Sequence, residues 1–172
     1  YMSIKMDVDG FIDKIHSLVR SGDPDRAVAE CNGVKHPIAA VFSSGLRNIH
    51  KDRIGIERAM ERTGNAEISN AEKYMLLLVV IIGVEPMMGF LGTIIGLINS
   101  FMAWEKFAAS VTVDFLAAGI YQAMITTASG LIVAIPYYVI YHVMTGRISA
   151  MAKQMNHQAE ELLDLIETTR KA

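Results

Sequence analysis

The chain has 172 residues, room for one domain of ordinary size, with a formal net charge of −2 that excludes a basic nucleic-acid surface. Its apolar fraction of 52% and mean hydropathy of +0.31 are high for a soluble protein, and the excess is uneven. Residues 1–73 hold 11 of the 16 Lys and Arg, while residues 74–104 hold none, so a polar part adjoins a membrane part.

Residues 7–20 read as an amphipathic helix, with Val8, Phe11, Ile12, Ile15, Leu18 and Val19 on one face. Gly22 stops it. Asp23-Pro24 then starts a short helix to about Cys31, with Asp as N-cap and Pro where its missing N–H costs nothing. His36-Pro37 opens a third helix carrying Ile38, Val41, Phe42 and Leu46. A charged helix follows from Asp52, with Ile54, Ile56, Ala59 and Met60 as its apolar positions and Gly64 as its weakest point. It leads without proline into an apolar run. Residues 1–72 are therefore expected to form a cytoplasmic helical region.

Residues 73–104 form the first predicted spanning helix. About 20 apolar residues cross a bilayer core, so this stretch has length to spare for tilt. A connector at 105–112 and a second span at 113–145 follow, and residues 146–172 continue as a C-terminal helix carrying Ile148, Met151, Met155, Leu162, Leu163 and Ile166. The connector holds one cation, Lys106, against 11 and 4 on its flanks. The positive-inside rule then places both visible termini in the cytoplasm and the connector in the periplasm. Trp104, Tyr137, Tyr138 and Tyr141 suit the interfaces. The fold class expected is all-α, a polytopic membrane protein with long helices reaching into the cytoplasm.

Neither span reads as a plain anchor. Gly89, Gly92, Gly96 and Ser100 recur at helical spacing on the first, with Thr93 beside them. Gly119, Ala123, Thr127, Gly130 and Ala134 form a similar stripe on the second, with Gln122, Thr126 and Ser129 on the adjacent face. Small residues at such spacing let backbones approach closely, which argues for a tightly packed helical oligomer around a polar lumen. Pro86 and Pro136 are candidate kink sites. Glu85 lies deep in the first span. A charged residue there costs about 2.5–3.5 kcal/mol on insertion scales and marks a candidate functional site. A protonated carboxyl bonded to a neighbouring carbonyl is the bland alternative. For Gln122 the bland alternative is an interhelical hydrogen bond.

No catalytic constellation, cofactor motif or metal-ligand spacing is legible. The five histidines (His16, His36, His50, His142 and His157) are scattered and read as solvated or cap-region residues. The lone Cys31 precludes an internal disulfide. The Gly89–Gly96 run follows no strand and carries no Lys, so it is not a phosphate loop. The reading is a non-enzymatic protein.

Two blocks carry a family resemblance. EPMMGFLGTIIGLINSF at 85–101 and AAGIYQAMITTASGLIVAIP at 117–136 resemble, in order, the two blocks of the MotA/TolQ/ExbB proton-channel family, most closely its ExbB/TolQ branch. The resemblance implies three spanning helices, of which the first lies upstream of Tyr1 and outside this chain. It also implies a pentamer in the bacterial inner membrane enclosing a single-span partner of the ExbD/TolR kind, with proton flow driving work on a client. The family's lumen-facing threonines fall on Thr93 and Thr127. Its second block often has glutamate where this chain has Gln122, and the residue before its proline is usually small, where this chain has Glu85. Glu85 is thus expected to supply the pore-side carboxylate that Gln122 lacks. The channel-lining set is Thr93, Thr127, Glu85 and Gln122. The packing set is Gly89, Gly92, Gly96, Gly119 and Gly130. A non-conducting membrane scaffold is the alternative function. A sodium-driven flagellar-type stator and a solute carrier fit less well, the latter because no inverted repeat of broken helices is present.

Overall fold

The computed structural model describes residues 7–107 and 113–171. Over those residues all regular secondary structure is α-helical, in the order α1 (Val8–Arg20), α2 (Pro24–Asn32), α3 (Pro37–Arg47), α4 (Arg53–Glu72), α5 (Met75–Phe107) and α6 (Val113–Lys171). The expected all-α architecture with two apolar helices long enough to cross a membrane is present. Residues 108–112 of the expected connector lie outside the described residues.

Local chemistry explains the helix starts. The Asp7 carboxylate accepts from Gly10 N at 3.1 Å, and Asp23 accepts from Arg26 N at 3.1 Å, each satisfying an amide that the first helical turn leaves free. His36 caps α3 with its ring, Nδ1 accepting from Ile38 N at 3.2 Å. Gly22 takes a positive φ of 76°, a conformation costly for other residues, and turns the chain between α1 and α2.

The chain divides into two compact units. The first comprises the described residues up to Ala71 together with those from Arg147 onward. Its core joins Ile12, Ile15 and Val19 of α1, Ala27 and Cys31 of α2, Ile38, Val41, Phe42 and Leu46 of α3, Ile56 and Met60 of α4, and Met155, Leu162, Leu163 and Ile166 of α6. One of the apolar positions of α4 stays outside this core: Ile54 is 56% exposed, two residues before buried Ile56, which on a helix turns it the other way. Gly64 is buried inside the unbroken helix, with room for a Cβ, which would stand 3.7 Å from Val41 Cγ2. The helix falters later, in a turn at Lys73-Tyr74. Arg53 Nη1 donates to Asp164 Oδ1 at 2.9 Å and to Glu167 Oε2 at 2.8 Å, which raises its already high pKa. Arg170 adds a bond to the Lys51 carbonyl at 2.7 Å. These bonds tie the start of α4 to the end of α6.

Of the histidines of this unit, His50 and His157 are exposed and His36 is a cap, as expected, whereas His16 is partly buried against the core. His16 stacks on Phe42 with ring centroids 6.1 Å apart, and burial lowers its pKa from 6.5; the Glu161 charge opposes that shift, Arg20 adds to it and Asp13 opposes it. Burial lowers His36 as well. A base with a depressed folded pKa is held neutral by folding, so its contribution is complete above the unfolded value and is lost as pH falls below it. Thermal unfolding midpoints are therefore expected to fall as pH drops below 6.5, with a shallower fall in His16→Phe. A variant as acid-sensitive as the parent would contradict this.

The second unit, Glu72–Gly146, contains α5 and the first part of α6. Its outward surface is apolar: Leu76, Met87, Phe90, Tyr121, Met124 and Ile132 are all more than half exposed. In water such a surface would be untenable, whereas lipid or neighbouring helices satisfy it. Pro86 and Pro136 both lie inside unbroken helices.

Candidate functional site

The two spanning helices meet along the small-residue stripes. At one end a Cβ on Gly130 would stand 2.6 Å from the Glu85 carbonyl oxygen and 3.2 Å from Gly89 Cα. Midway, a Cβ on Gly89 would meet the Thr126 carbonyl at 3.0 Å and Thr127 Cα at 3.1 Å, and one on Gly92 would meet Thr126 Oγ1 at 2.6 Å. Further along, Gly96 faces Ala123, and the Ser100 side chain fills the space that a Cβ on Gly119 would need. Ala123, Gly130 and Ala134 are buried. The backbones approach closely enough for interhelical contacts to be made by main-chain atoms.

That proximity assembles a group of hydroxyls and carbonyls. Thr93 Oγ1 and Thr127 Oγ1 are hydrogen-bonded to each other across the helix pair. Both also reach the Gly89 carbonyl at 3.2 Å, and Thr93 Oγ1 lies 3.3 Å from the Ala123 carbonyl. Thr126 Oγ1 donates to Ala123 O at 2.7 Å and lies 3.4 Å from Gly89 O. Three hydroxyls therefore share two main-chain carbonyls. Each hydroxyl has one proton and two acceptor positions, so the set can exchange donors and acceptors without moving a backbone atom.

Of the four residues read as channel-lining, Thr93 and Thr127 are brought together. Glu85 and Gln122 take no part in the hydroxyl group. Glu85 is half-buried and stands eight residues before Thr93, about 12 Å of helical rise. Its main chain packs against Gly130. Gln122 is exposed, one position before buried Ala123. Thr126 had been read only as a polar residue on an adjacent face. The signal for its part is Gly92, three residues after Gly89, which leaves room for a branched side chain on α6. Outside this unit, the first unit bears a cleft of about 1060 Å³ lined in part by Lys35, His36, Arg47, Asn48 and Glu67.

These features define a helical membrane protein with a threonine-lined seam between two closely packed spans. Comparison with known proteins agrees. Residues 33–157 match the model of the MotA/TolQ/ExbB proton channel family, and the chain belongs to that family. It is 36% identical over 140 residues to a putative biopolymer transport protein ExbB homolog of Methanothermobacter thermautotrophicus, covering 80% of this chain and 48% of that protein. It is 32% identical over 112 residues to the Tol-Pal system protein TolQ of Haemophilus influenzae, covering 65% and 49% respectively. An ExbB-like protein of Synechocystis is 24% identical over 176 residues, covering 94% and 84%. The chain thus spans about half the length of the first two relatives. The resemblance read from residues 85–101 and 117–136 is borne out, including its ExbB/TolQ branch.

Proposed function

We propose that this chain is the channel-forming subunit of an inner-membrane motor, coupling the proton gradient to work through a single-span partner of the ExbD/TolR kind. The observation that carries the reading is the Thr93–Thr127 hydroxyl pair, held at the seam of a predominantly apolar spanning unit. Hydroxyls at that depth cost free energy unless they are used for packing or for conduction, and two that face each other across a helix pair form a short relay. In this reading the chain self-associates, as a pentamer by family resemblance, with both visible termini cytoplasmic and the 105–112 connector periplasmic. The partner supplies the principal proton carrier.

Glu85 acts in this reading as a pore-side carboxylate on the cytoplasmic side of Thr93, where Gln122 offers only an uncharged amide. Glu85→Gln is expected to reduce proton flux through the full-length protein with its partner at least severalfold while leaving assembly intact. Flux at the parent level would assign the carboxyl to packing. The second reading, a non-conducting scaffold, is supported by the glycine contacts, since tight packing alone requires them. Proton uptake by vesicles containing the complete complex separates the two.

A further inference from the structure

The hydroxyl group at the seam contains one member more than a two-threonine relay needs. Thr126 makes the shortest hydroxyl-to-carbonyl contact of the group, 2.7 Å to Ala123 O, and lies 3.4 Å from Gly89 O. Its side chain occupies the space above Gly92 that any Cβ there would fill, with Oγ1 2.6 Å and its own Cβ 2.7 Å from that position. Thr93 Oγ1 has three acceptors in reach: Gly89 O at 3.2 Å, Ala123 O at 3.3 Å, and Thr127 Oγ1. It has one proton to give. Either hydroxyl can donate in the Thr93–Thr127 bond, so what matters for the link is that the Thr93 hydroxyl stays turned toward Thr127 and Gly89 and not toward Ala123 O.

We infer that Thr126 is a positioning residue: by donating to the Ala123 carbonyl it directs the Thr93 proton toward Thr127 and Gly89, and so holds the interhelical hydroxyl pair in register. The Thr126 bond at 2.7 Å is the better-placed donor to that carbonyl, against 3.3 Å for Thr93. With Thr126 removed, Ala123 O would draw the Thr93 hydroxyl back along α6 and away from Thr127. The Thr126 side chain is seated over Gly92, which leaves room for it. Thr126 itself need carry no proton through the membrane. The inference rests on the conducting reading proposed above.

The test uses the full-length protein with its partner in vesicles, comparing Thr126→Val, Thr126→Ser and Thr127→Val for proton flux, and for oligomer recovery and thermal midpoint in detergent. Valine keeps the shape over Gly92 and removes the hydroxyl; serine keeps the hydroxyl and its bond to Ala123 O. The expected result is a loss of flux of about tenfold in Thr126→Val, the equivalent of one net hydrogen bond. Thr126→Ser should retain flux within about twofold, and all three variants should assemble as the parent does. Parent-level flux in Thr126→Val beside a loss in Thr127→Val would overturn the inference and leave the conducting reading standing. Equal losses in the valine and serine variants, with lowered thermal midpoints, would assign Thr126 to packing and also overturn it. Parent-level flux in both Thr126→Val and Thr127→Val would remove the conducting role of the seam itself.

Discussion

Replacing Thr127 by valine is expected to reduce proton flux at least tenfold while leaving the protein folded and assembled. Valine matches threonine in shape, so the contact of residue 127 with Gly89 is retained and only the hydroxyl is lost. The structural cost is small, because interhelical hydrogen bonds in membranes average about 0.6 kcal/mol. Gly89 O also keeps two further hydroxyls within reach, from Thr93 and Thr126. The functional cost is large, because Thr93 then faces a methyl group and the hydroxyl pair that bridges α5 and α6 is broken. Thr93→Val should behave alike, and the double variant should be little worse than either single one, since both remove the same link. Additive losses would mean that the two hydroxyls act separately.

A substitution at Gly130 should fail in the opposite way, through structure first. A Cβ there would stand 2.6 Å from the Glu85 carbonyl oxygen and 3.2 Å from Gly89 Cα. Both are main-chain atoms of α5, so no side chain can rotate aside and the helices must separate. Overpacking of this kind costs about 1–3 kcal/mol for alanine-sized additions and more for branched ones. The same separation pulls Gly89 away from Thr126 and Thr127. Gly130→Val is therefore expected to abolish oligomer recovery and flux together. Gly146→Ala, where nothing lies within 4 Å of the added carbon, should leave both unchanged. A well-assembled Gly130→Val protein would show that the α5–α6 seam is looser than these contacts require.

Much of this was legible before the structure. Asp23-Pro24 and His36-Pro37 announce their helices because a helix start is a local event, settled within three residues. The two spans are legible from length and apolarity. What escaped depends on how one helix meets another. Ile54 is as apolar as Ile56 and Met60, yet which of them is buried is set by the face of α4 that meets the core, and Ile56 and Met60 take that face. Gly64 reads as a weak point because helix propensity penalises glycine; α4 nevertheless runs unbroken through it, and a Cβ there would make only an ordinary contact, 3.7 Å from Val41 Cγ2. Thr93 and Thr127 are singled out by their place in the family blocks, whereas Thr126, like Ser129, reads only as a polar residue on the adjacent face. Only the register that sets Gly92 opposite Thr126 separates it from them, and register between two spans is not encoded at any single position. Glu85 and Gln122, by contrast, are marked by their chemistry alone, and neither joins the hydroxyl group at the seam.

The central claim is that this subunit, with its partner, conducts protons. Its most direct test is potential-driven proton uptake by vesicles containing the complete complex, read with a trapped pH-sensitive dye. Uptake well above that of protein-free vesicles, and lost in Thr127→Val, is the predicted result. Uptake no faster than in protein-free vesicles, from a complex shown to be intact, would contradict the account and leave a scaffold in its place.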